Sequence, residues 1–78
     1  LNSLREARQS WINAYGEYPK DKLDFLIDSF DRQISFCETL ISRLNSKKYA
    51  SQDDYLMWDA IIKMSYESAA IANELNSY

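Results

Sequence analysis

The chain has 78 residues, 12 acidic and 9 basic side chains and a net charge of −3, which is room for one small domain and excludes a multidomain enzyme. It has no histidine, one cysteine, one glycine and one proline. Those counts exclude histidine-dependent nucleophiles, histidine-ligated zinc and an internal disulfide.

No stretch approaches the roughly twenty apolar residues of a bilayer span, and Leu1-Asn2-Ser3-Leu4-Arg5-Glu6 lacks the basic start and apolar core of a signal peptide. With a single thiol fitting a reducing compartment, the expectation is a cytoplasmic protein without membrane contact. A start at Leu1 fits a processed product or a fragment as well as a whole chain. There is no valine, and Thr39 is the sole threonine, so β-branched residues are too scarce for a sheet and the expected class is all-α.

In the first segment Leu1, Leu4, Ala7, Trp11, Ile12 and Tyr15 recur at three and four residues, with Arg5, Glu6, Gln9 and Asn13 opposite. This spacing predicts an amphipathic helix over about 1–15. Gly16 suits the left-handed position beyond its end, and Pro19 suits the first turn of the next helix.

The second helix is expected over about 20–45. Leu23, Ile27, Phe30, Ile34, Cys37, Ile41 and Leu44 form one seam along its whole length, and Phe25, Leu26, Phe36 and Leu40 form a second apolar strip beside it. Asn45 and Ser46, followed by Lys47 and Lys48, suit its end. Ser51, with Gln52, Asp53 and Asp54, has the chemistry of a capped start, so a third helix is expected over about 52–76. Tyr55, Trp58, Ile61, Ile62, Tyr66, Ala69, Ala72 and Leu75 form its apolar arc, and Ser65, Ser68, Ala69 and Ala72 allow close approach. Short connections make the expected fold a single-domain antiparallel three-helix bundle over 1–78, one short helix against two long ones.

Two features point toward binding. Asp21, Asp24, Asp28 and Asp31, preceded by Glu17, lie on one face of the second helix. Like charges at these spacings repel, so the row is either a solvated face or a phosphate-like stripe for a basic partner. The stripe opposes direct nucleic-acid binding, and the small basic cluster of Arg43, Lys47 and Lys48 beside Tyr49 reads as a helix-end charge complement. The second feature is length. A first helix of about 22 Å cannot cover partners of about 37 Å, which leaves Phe36, Leu40, Tyr49, Tyr55, Leu56 and Met57 at the far end as a contact surface for a second copy or another protein.

Cys37 and the aromatics Trp11, Tyr15, Trp58 and Tyr66 are expected in packing roles. Asp53 with Asp54, or Asp28 with Asp31, lacks the loop pattern of calcium sites, so no metal or other cofactor is expected. The expected function is a non-enzymatic protein-interaction module, a small regulatory or inhibitory protein, itself a homodimer, that occupies the surface of another protein. The alternatives are a nucleic-acid-mimicking inhibitor and a small-ligand-binding bundle.

Overall fold

The structure is a computed structural model and describes residues 1–77. Its helices are α1 (Asn2–Ile12), α2 (Lys20–Asn45) and α3 (Gln52–Leu75), and no strand occurs among the described residues. α1 stops three residues short of Tyr15 because the backbone tightens there. Ala14 N–H donates to Trp11 and Tyr15 N–H to Ile12, both i to i−3 bonds. Gly16 follows at φ +99°, the left-handed conformation expected of it. Pro19 is the residue before α2, one position earlier than its sequence suggests, and its carbonyl accepts from Leu23 N–H at 3.1 Å.

The core is formed by Leu23, Leu26, Phe30 and Leu75, with Leu4, Ala7, Trp11, Tyr18, Ile71 and Ala72 packed against it. The rings of Trp11 and Tyr18 meet edge to face at 5.6 Å, which closes the turn after α1 over this core. Each fully buried leucine here contributes about 1.5–3 kcal/mol. α1 is also tied to α2 by the ion pairs Arg8–Asp31 and Arg5–Glu38. α2 and α3 are joined by Lys22 to Glu74, by Ser29 to Ser68 through their hydroxyls at 2.7 Å, and by Arg43 to Asp54. Gln33, 4% exposed, sits in this interior with its Oε1 lacking a hydrogen-bond partner.

The seam of α2 is buried only in its first part. Leu23, Ile27, Phe30 and Ile34 are inside, Cys37 is half-buried, and Ile41 and Leu44 are 47% and 39% exposed. The reason is α1, whose eleven residues span about 16 Å against about 39 Å for α2. The second strip divides as well, with Leu26 and Leu40 buried but Phe25 and Phe36 exposed. The packing expected of Tyr15, Trp58 and Tyr66 does not occur, and Ala69 is exposed too. Two neighbours cannot enclose arcs that wide.

Candidate functional site

Where α2 gives way to α3, one buried carboxylate organises the chain. The Asp54 side chain is 2% exposed. It accepts from Lys47 Nζ, Arg43 Nε and Ser51 N–H, each at 2.8 Å, and from Ser51 Oγ at 3.0 Å. Ser51 Oγ in turn accepts from Asp54 N–H, completing a capping box at the start of α3. The Lys47 ammonium, the Ser51 backbone and the Arg43 guanidinium hold this carboxyl well below the usual carboxylate range, against the opposing effect of burial. The connection 46–51 is thereby clasped to the ends of both long helices. Lys47, expected to complement the α2 dipole, serves this clasp instead.

The clasp borders an apolar groove. Leu40, Leu44, Ala50, Asp54, Tyr55 and Trp58 line a cavity of about 170 Å³, and Leu1, Cys37, Leu40, Ile41, Trp58 and Ile61 line a second of about 170 Å³. Both have Leu40 as buried floor and Trp58 as shared wall. Around them stand Tyr55, 63% exposed, and Trp58, 55% exposed, with Ile41 and Leu44 across on α2. The start of α1 reaches the same place through Leu1, so the groove prolongs the track on which α1 lies. Burial raises the Cys37 thiol above its ordinary value, which disfavours its nucleophilic thiolate.

Of the residues expected at this end, Tyr55 lines the groove and Leu40, buried, forms its floor. Phe36, Tyr49 and Leu56 are exposed, and Met57 is half-buried. Phe36 stands about 140° around α2 from Ile41 but about 40° from Leu40 and about 80° from Leu44, on the ridge that leads into the groove one turn before its floor. Tyr49 lies under Lys48 Nζ, 5.6 Å from its ring centroid. Trp58, Ile41 and Leu44 carry most of the surface, and the length deficit of α1 together with the seam pattern is the signal that finds them.

The acidic row is partnered rather than bare. Asp24 accepts from Lys20 Nζ and from the Tyr15 hydroxyl, which hold its carboxyl below the ordinary value. Asp28 pairs with Arg32 at 3.2 Å and Asp31 with Arg8. Asp21 borders an open hollow with Lys22, Phe25, Glu67, Ile71 and Glu74. Three of the four acids thus share their face with cations.

Among the described residues no group of three or more Cys, Asp or Glu side chains is placed to hold a metal ion, and no helix is long and apolar enough to cross a membrane. No family model matches this chain, and neither the curated proteins nor the solved structures give a match.

Proposed function

We propose that this protein is a non-enzymatic protein-interaction module, a small regulatory or inhibitory protein whose contact surface is the apolar groove between the end of α2 and the start of α3. The carrying observation is that Trp58, Tyr55, Ile41 and Leu44 stand exposed together around apolar cavities on clasped, helical backbone. A contiguous apolar patch with a polar rim is the ordinary mark of a docking surface, and exposed tryptophan and tyrosine are the residues that anchor such contacts. An enzyme reading has little to stand on, because the chain has no histidine and its one thiol is shifted away from the thiolate.

The bundle reading is that of an antiparallel α2–α3 pair with α1 laid along part of it. Its support is the order of the contacts: Lys22, Ser29, Arg32 and Arg43 meet Glu74, Ser68, Glu67 and Asp54, rising along α2 while falling along α3. Dimeric association belongs to the same proposal, since the bare end is where a third helix is missing. The stripe reading receives less support, because Lys20, Arg32 and Arg8 offset Asp24, Asp28 and Asp31.

The test is site-specific capture. A photo-crosslinking residue at position 44 should form a discrete adduct in native lysate, with the chain itself or with another protein, and the same residue at position 20 should not. Absence of any adduct at position 44 would remove the module reading.

A further inference from the structure

Outside the clasp the molecule holds the hollow beside Phe25, the buried Ser29–Ser68 pair and the groove. Resting on its role as a contact surface, we propose that its occupant is a second copy of this chain, joined end to end through a two-fold contact.

Charge favours a second copy. Between residues 36 and 63 the sequence holds four cations (Arg43, Lys47, Lys48, Lys63) and four anions (Glu38, Asp53, Asp54, Asp59). The net charge of −3 therefore belongs entirely to the remainder of the chain. Charges beside the groove are also satisfied internally: Asp54 by Arg43 and Lys47, Asp59 by Lys63, Glu38 by Arg5. Counting Arg5, which sits on Glu38, this end carries one net positive charge, so two copies meeting here bring little like charge together and hold their acidic ends apart, whereas a strongly charged partner would find no complement. A parallel side-by-side contact along the full length would instead oppose two acidic ends.

The exposed apolar area is also sufficient for a specific contact. Ile41, Leu44, Tyr55 and Trp58, at their observed exposures, present on the order of 400 Å² of apolar surface. With roughly 60% of a typical contact apolar, this corresponds to about 650 Å² per copy and about 1,300 Å² in total, inside the range of specific interfaces. The contact is isologous, the α2 end and α3 start of one copy on the same segments of the other, giving a four-helix junction. α1 limits how far the copies overlap, because it already occupies α2 through Arg5–Glu38 and Arg8–Asp31.

This geometry predicts shape as well as mass. Each copy is 46 Å long, and an overlap of about 13 Å, the length from Cys37 to Asn45, gives a dimer about 80 Å long. Sedimentation equilibrium from micromolar to millimolar concentration should give twice the chain mass, and small-angle scattering should give that elongated dimension. Trp58→Arg and Leu44→Arg should each return a monomer with unchanged helical circular dichroism, while Phe25→Arg, at the opposite end of α2, should remain dimeric. Three results would each overturn the proposal: a wild-type monomer throughout, a dimer no longer than one copy, or a dimer that survives both groove variants. Crosslinking at position 44 separates the two readings. An adduct with a different protein, together with a monomeric wild type, removes the second copy and keeps the module; no adduct removes both.

Discussion

Gln33 lies inside the bundle at 4% exposure with its side-chain carbonyl unpaired. A buried acceptor without a donor costs about 1–3 kcal/mol relative to a satisfied one. Gln33→Met keeps the unbranched shape, removes the stranded carbonyl and adds apolar contact. The expected outcome is a gain of about 1–2 kcal/mol, which for a chain of this size corresponds to a rise in Tm of about 4–16 °C. Thermal unfolding followed by circular dichroism measures it, with both proteins at one concentration so that association does not contribute to the difference. Gln33→Glu should move Tm the other way, since it buries a charge without a partner. A Gln33→Met protein that melts below wild type would refute the reasoning and show that the amide makes a bond the fold depends on.

Other substitutions test other layers. Ile34→Asp should abolish the helical signal, because it places an unpaired charge in the covered part of the seam. Asp54→Asn should loosen the 46–51 connection and flatten the acid limb of stability. The native Asp54 carboxyl lies below its unfolded value, so its stabilisation is complete above about pH 4–5 and is lost as pH falls toward the folded value. Wild-type Tm should therefore drop more steeply than the variant's below pH 4, and parallel curves would contradict the clasp. Replacing Asp21, Asp24, Asp28 and Asp31 together by Asn should leave the helix content intact and lower Tm slightly, since relief of repulsion is offset by lost pairs with Lys20, Arg32 and Arg8; a clear rise would show that repulsion dominates the row.

The helices were legible because their signals are local. Three- and four-residue spacing marked each segment, Gly16 and Pro19 marked the first break, and Ser51 with its acids marked the start of α3, down to the capping hydroxyl. Coverage was not legible from the same pattern. Periodicity gives the face a helix would bury but not whether a neighbour extends far enough to bury it, so Ile41, Leu44 and Trp58 read as core and stand exposed. The length deficit of the first helix marked the end where Phe36 and Tyr55 stand exposed, but not which side chains there line the groove. Asp54 read as one of two first-turn acids. Its burial depends on Arg43 and Lys47 closing over it from α2 and the loop, a tertiary arrangement no spacing encodes. Gln33 gave no signal, since a polar residue between apolar strips reads as a boundary.

The self-contact at the groove is tested most directly at Trp58 itself. In a Trp11→Phe chain, fluorescence reports Trp58 alone among the two tryptophans. As concentration rises from the nanomolar to the millimolar range, its emission should shift to the blue and its quenching by acrylamide should fall together, following the mass change seen in sedimentation. A red, fully quenchable Trp58 at every concentration would contradict the account.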